Sequence, residues 1–476
     1  MFMIPQMNRL QAWLMPLTIV CLVTFINLIF AYSYQFFVGD DWDWLYFAQF
    51  SSFGNLFSFW PQAIYNDRPV GAMMIKVMYL LFDLNSSAFY LFQLALHILN
   101  CLLLFWIAKK YIGSWGALIA ATLAGTWVVA NDAVFWTAAI FDLLGGTLCL
   151  LAIFLWQFSG KQYRWFWTML GAVIYFFAIR TKEFSISLPF IILAIAWLLE
   201  NEKLKPAFKR LWPYWLVLVV MGIWYLRLML NTSIVGSSDA YGLHFSGLLD
   251  NLQYYLGTLF YENLWEPDRR VWNAVHIFMV CSSLLLLGLA IGTSNQYRKV
   301  ALVAIIGFLA LLGPTLLLKN HLGQLYLYAP HFFLAFAIGG LFSLGALWQI
   351  PTILLTSLLI AIPLGSTWFH EKTIYYVSRT QQSADQYHAF QRHLKKIKPG
   401  AQVFIADLAQ WNPLDYQGGK PLMVMKQDSS LRLHAHLPAE QLIEKFCQVS
   451  EPKIYIRMEG IQAFDETSLI VQKCPK

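Results

Sequence analysis

The chain has 476 residues, of which 58% are hydrophobic and only 12% charged, with a mean hydropathy of +0.54. Soluble proteins are about 45–50% apolar and about 25% charged, so the composition excludes an ordinary water-soluble protein and reads as a multi-pass membrane protein. The net charge of +7 does not indicate nucleic acid as a partner, because the basic residues lie in short clusters between apolar runs.

About eleven apolar stretches of about 17–22 residues, long enough to cross a hydrocarbon core, fall near 12–32, 88–108, 114–131, 139–158, 165–181, 184–199, 212–230, 271–292, 300–318, 327–347 and 351–368. The run from Leu14 to Ala31 is too long for a signal-peptide core and lacks a cleavage site, which predicts an uncleaved first span. With a cytoplasmic N-terminus, Arg9, Lys109, Lys110, Lys161, Arg164, Lys203, Lys205, Lys209, Arg210, Arg298 and Lys299 all fall inside, as the positive-inside bias requires. An odd number of spans leaves the C-terminus outside.

Two expected outside loops, the first and the fourth, are long, near 34–87 and 231–270. Each holds an amphipathic stretch, Trp42–Phe50 and Leu248–Trp265, that predicts a helix lying in the membrane interface. Hydropathy falls after about His370. The tail carries an amphipathic helical pattern over Ser383–Ile397, a stop at Lys398-Pro399-Gly400, and the short runs QVFIAD, PLMVMK, LRLHAH and KIYIRM. The expected fold class is therefore an all-α polytopic membrane domain over 1–370 plus a small α/β extracytoplasmic domain over 371–476. Cys21, Cys101, Cys149 and Cys281 sit inside spans as small hydrophobes. Cys447 and Cys474 lie in the tail, where a disulfide and two separate thiols are both open readings.

Ionisable groups at the edge of hydrocarbon are costly and point to function. Asp40, Asp41 and Asp43 cluster in GDDWDW of the first outside loop. A carboxylate there can take a proton from an attacking hydroxyl, and adjacent carboxylates can hold a divalent cation. The competing reading is an acidic turn capping the interfacial helix. Arg68, before Pro69 and near the start of the second span, has a planar fork suited to phosphate, or anchors the interface. Arg180, Lys182 and Glu183 share a tight loop between the fifth and sixth spans, where outward positive charge invites an anion. Glu183 is placed there to orient Lys182 or, with Asp40 and Asp41, to hold Mg or Mn. Lys319, His321, Tyr326 and Tyr328 form another outside turn, as phosphate or sugar contacts or as an aromatic belt. His97 and Asn100, three apart on the second span, read as interhelical hydrogen-bonding residues.

In order along about residues 10–345, these motifs resemble the C-type (GT-C) superfamily of integral-membrane glycosyltransferases, and within it the bacterial relatives of the transmembrane and tetratricopeptide-repeat O-mannosyltransferases. Asp40 and Asp41 match the acidic pair of the first loop. Arg68-Pro69 followed by His97 and Asn100 resembles the next motif, NDAVFWTAAIFDLLGG with Asp132 and Asp142 the third, Lys182-Glu183 with Pro189 the fourth, and Tyr326 to Pro330 the last. The chain departs at Asn131, where a His is common, at Gln324, where an Arg is usual, and in having no tetratricopeptide repeats. The resemblance implies inverting transfer of a sugar from a polyprenyl-phosphate donor to a glycan, lipid or protein hydroxyl. It implies Asp41 as base with Asp40 beside it, and Arg68, Lys182, His321 and Lys319 on the donor phosphate. Glu183, Asp43, Asp132, Asp142, Tyr326 and Tyr328 are expected in support. The expected location is a bacterial inner membrane with the site facing the periplasm. A lipid-linked glycan polymerase or ligase, and a flippase or transporter, are the competing functions.

Overall fold

The computed structural model describes residues 9–31, 36–63, 67–159, 164–232, 242–259, 281, 284–286, 288–292, 294–318, 321–370, 375–408, 413–450, 452–460 and 462–475. It is mostly helical. The first expected span is α1, Arg9–Ala31. A short α2, Asp41–Phe50, follows, then α3, Pro69–Phe82. Next comes α4, Ser86–Thr126, which is broken at Gly113 by a left-handed backbone (φ 73) that only glycine adopts at little cost. The chain doubles back there, because Gly125 approaches Cys101 and accepts a hydrogen bond from His97 Nε2 at 3.2 Å. The two limbs correspond to the second and third expected spans.

A 3₁₀ turn at Thr137–Ala139 opens into α5, Ile140–Trp156, which packs on α6, Arg164–Ile179. Residues Glu183–Leu199 run through a 3₁₀ turn, an α-helical turn and a π-helical turn. The longer helices that follow are α7 (Trp212–Asn231), α8 (Leu248–Thr258), α9 (Asn295–Leu316), α10 (Tyr328–Phe342) and α11 (Ala346–His370). Five helical stretches among the described residues are long and apolar enough to cross a membrane, and five shorter apolar ones accompany them. This is a multi-pass membrane protein. The span expected at 271–292 and the end of the interfacial helix expected to reach Trp265 fall mostly outside the described residues, so the helices here do not add up to a count of eleven.

One expectation needs correcting. Arg68 does not start the second span; it precedes a separate helix, α3, which packs against α2. Lys76 of α3, almost fully buried, donates to the carbonyls of Ala48 and Ser51, each at 2.6 Å. A buried ammonium is tolerable when its protons are used in this way, and here it caps the C-terminal end of α2.

Charged side chains gather at the two ends of the bundle. Lys110, Arg164, Glu200, Glu202 and Arg210 are linked at one end, where Arg210 also lies over the Trp156 ring at 3.6 Å. The helices leaving that end reach Asp142, Arg180, Lys182 and Glu183 at the other. The basic clusters expected inside and the acidic motifs expected outside are thus on opposite ends of the same helices.

The tail begins with α12, Tyr375–Leu394, and forms a four-stranded sheet ordered β2-β1-β3-β4. Its strands are β1 (Gln402–Ala406), β2 (Arg432–His434), β3 (Lys453–Glu459) and β4 (Gln462–Asp465). β1 is parallel to β2 and β3, and β4 is antiparallel to β3. The run PLMVMK is not a strand but a helix, α13 (Lys420–Lys426), as a short apolar run permits either way. Two more helices, α14 (Ala439–Gln448) and α15 (Thr467–Lys473), flank the sheet, and Cys447 and Cys474 pair in a disulfide.

Candidate active site

The site is organised around the turn from Asp132 to Asp142. Three distant parts of the chain bond to it. Ala138 N donates to Asp41 Oδ1 at 2.6 Å, the Phe141 ring lies 5.4 Å beneath the Arg68 guanidinium, and Asp142 Oδ2 accepts from Lys182 Nζ at 2.7 Å. The first loop, the start of α3 and the loop after α6 are therefore brought to one end of the bundle, as their motifs predict.

Arg68, Arg180 and Lys182 each have a carboxylate partner. Glu183 holds Arg68 bidentately, with Nε and Nη2 both at 3.0 Å, the planar pairing that a guanidinium makes best. Arg180, fully buried, donates to Asp67 Oδ2 and to the carbonyl and hydroxyl of Ser58, each at 3.0 Å. Lys182 has Asp142 as its ion partner and sits 4.8 Å over the Tyr326 ring. Glu183, expected to orient Lys182 or to hold a metal, hydrogen-bonds Arg68 and acts on Lys182 through its charge. Arg180 and Lys182, read as a pair wanting an anion, have Asp67 and Asp142. Ion pairs of this kind offset the cost of taking charges out of water. Among the described residues Asp142 Oδ1 has no hydrogen-bond partner, so one buried acceptor remains on this cluster.

The acidic turn divides its labour. Asp41 is buried, and both its oxygens accept backbone amides, Oδ2 from Val38 at 2.9 Å and Oδ1 from Ala138. Burial pushes its carboxyl up to about 8 against the pull of the two amides. Asp40, at the start of α2, is exposed. Asp43 forms an ion pair with Lys420 of the tail. His321 is half-buried and feels Lys182, Arg68 and Asp40; burial first, then the two cations, lower it to about 4. Tyr326 and His321 rings lie 5.9 Å apart. Lys319 lies outside the described residues.

Tyr328 points into the helix core, where its hydroxyl meets His97 Nδ1 and Asn100 Nδ2, both at 2.8 Å. His97 and Asn100 are interhelical hydrogen-bonding residues, as read from their spacing. Asp132 is buried near Tyr254 of α8. Asp67 and Ser58 were not singled out in the sequence, and the partner of Arg180 could have been sought only among the acids of the first loop.

Two of the three carboxylates considered for a cation have both oxygens already engaged. Glu183 has both oxygens on Arg68, Asp41 has both on amides, and among the described residues no three His, Cys, Asp or Glu side chains form a metal-holding group.

Residues 66–226 match the family model described as dolichyl-phosphate-mannose-protein mannosyltransferase. Among solved structures, ArnT from Cupriavidus metallidurans bound to undecaprenyl phosphate is 14% identical, with 92% of each chain covered and a TM-score of 0.46. The same protein in the apo state is 14% identical, covering 94% of this chain and 93% of that one, with a TM-score of 0.44. The archaeal oligosaccharyltransferase AglB from Archaeoglobus fulgidus, in complex with an inhibitory peptide and a dolichol-phosphate, is 11% identical, covering 94% of this chain and 70% of that one, with a TM-score of 0.49. Among curated proteins none matches. Across residues 66–226, which carry Arg68, Asp132, Asp142, Lys182 and Glu183, the chain is similar to the dolichyl-phosphate-mannose-protein mannosyltransferase family.

Proposed function

We propose that this protein is a membrane glycosyltransferase that moves a sugar from a polyprenyl-phosphate carrier to an acceptor hydroxyl, with inversion at the anomeric carbon. The acceptor oxygen attacks the anomeric carbon while its proton passes to a carboxylate. The bond from that carbon to the phosphate oxygen breaks, and its electron pair leaves with the lipid phosphate. Asp40 is the better base than Asp41, because it is exposed while both oxygens of Asp41 are occupied by amides. Asp41 holds the turn on which Asp40 stands. Arg68 and Lys182 stabilise the charge growing on the phosphate; fixed donors in a site shielded from water are worth more than the same donors in solution. Glu183 and Asp142 keep both cations oriented. No step is routed through a metal ion.

One observation carries the reading: an exposed carboxylate and two oriented cations from three separate stretches of chain share one end of the bundle, and both cations lie within the segment matched by a mannosyltransferase family model. In the proposed setting that end faces the periplasm of a bacterial inner membrane. The test is mass spectrometry of cell-envelope glycans from cells with and without the protein. Loss of one monosaccharide increment from a glycan, lipid or protein identifies sugar and acceptor together. Identical envelopes count against the reading.

A further inference from the structure

We propose that Lys420 of the C-terminal domain is a positioning residue, a latch that holds α2 so that Asp40 faces the reacting sugar. The proposal rests on the function proposed above and assigns the tail a part in it.

The tail does not touch the membrane domain at random. Helix α13 packs directly on α2, and its Val424 is fully buried inside the hydrophobic cluster of the membrane domain. Met425 packs against that cluster and against the core of the tail. A second contact comes from α12, where the Tyr387 ring sits 4.6 Å from that of Phe36, two residues before Val38, whose amide holds Asp41. The apolar contacts fix where α13 lies, and Lys420 at its first position then reaches α2.

Lys420 pairs with Asp43, and its ammonium lies 5.5 Å from the Tyr46 ring and 5.3 Å from the Phe47 ring. Three residues of one short helix therefore meet a single cation. The turn before it is built for this approach. Gly419 has φ +92, and a Cβ there would meet Leu433 Cβ at 2.7 Å, so no other residue turns the chain into Lys420 without moving β2.

The geometry of α2 explains why a latch acts on chemistry. The helix is ten residues long, too short to be stable alone. Its C-terminal end is tied by Lys76 and its first residue by the Ala138 and Val38 amides. Asp43, one turn from Asp40, is tied by Lys420. Asp40 acts electrostatically on Asp43, so neutralising Asp43 also removes a like charge from beside the base.

The test uses the purified full chain with a panel of undecaprenyl-phosphate monosaccharides, measuring release of undecaprenyl phosphate, together with hydrogen–deuterium exchange over residues 36–50. In Lys420→Met, kcat is expected to fall about tenfold, less than the roughly 10²-fold that a 1 Å misplacement of a reacting group can cost. KM for the lipid donor stays within about twofold, since the cations are untouched, and protection of 36–50 drops. Lys420→Arg, which keeps the charge on Asp43 and over both rings, recovers both. Unchanged kcat or unchanged protection in Lys420→Met overturns the latch, as does failure of Lys420→Arg to recover. If the native protein consumes no lipid-linked sugar while exchange over 36–50 still responds to Lys420, the enzyme reading fails and the contact is structural only.

Discussion

Breaking the Lys182–Asp142 pair separates stability from function. The two groups lie 2.7 Å apart with side chains only 3% and 2% exposed. Lys182→Met would leave Asp142 as a carboxylate deep in the protein, with Oδ1 already unpartnered and Oδ2 newly so. Removing one member of a buried ion pair costs about 3–5 kcal/mol. Arg68 also acts on Asp142, which puts the expected loss toward the lower end. Replacing Asp142 as well, by Asn, removes the stranded charge and should recover most of the stability. Transfer should not recover, because the cation proposed to face the leaving phosphate is still missing, a loss of about 10²–10³-fold in rate. The assay pairs thermal unfolding of the purified protein in detergent, followed by tryptophan fluorescence, with release of undecaprenyl phosphate. A Lys182→Met variant as stable as the native protein, or a double variant with native transfer, would refute the reasoning.

Three further expectations follow from the geometry. A Cβ at Gly71 would meet Phe141 Cδ1 at 2.2 Å, so Gly71→Ala pushes the ring from beneath Arg68, lowers stability by about 1–3 kcal/mol and reduces transfer; an unaltered melting temperature tells against the contact. Asp41→Asn offers one acceptor where two amides need one each, and a stranded buried amide costs about 1–3 kcal/mol; Asp40→Asn should lack that loss, as side-by-side melting curves will reveal. His321 is lowered from 6.5 to about 4 in the fold, so the unfolded chain binds the extra proton between those values. Stability should therefore decline as pH falls from about 6.5 to 4 and this component should vanish in His321→Gln; equal pH dependence in the two proteins would exclude His321 as its source.

Apolar helices among the described residues were legible because length and hydropathy are local properties, and so was the separation of the second and third spans, which the fold makes at Gly113. Helix α3 was not: its 14 residues are too short to read as a span, and the sequence alone treats Pro69–Phe82 as loop. The motifs of the site were legible as residue types at one end of the bundle. Their pairing was not. Arg68 meets Glu183 and Arg180 meets Asp67 across more than a hundred residues, and nothing local says which acid takes which base. For the same reason the sequence favoured Asp41 as base, and the proposal of Asp40 in its place depends on where the Ala138 amide lies. PLMVMK shows the limit for short apolar runs, whose period fits a strand or a helix until tertiary contacts decide.

The most direct measurement is single-turnover release of undecaprenyl phosphate from an undecaprenyl-phosphate sugar by the purified protein and by Asp40→Asn, with donor binding measured in parallel. The account predicts release by the native protein, release slowed by at least about 10²-fold in Asp40→Asn, and equal donor binding by both. Native-like release from Asp40→Asn, or no release from any sugar of the panel by the native protein, would contradict it.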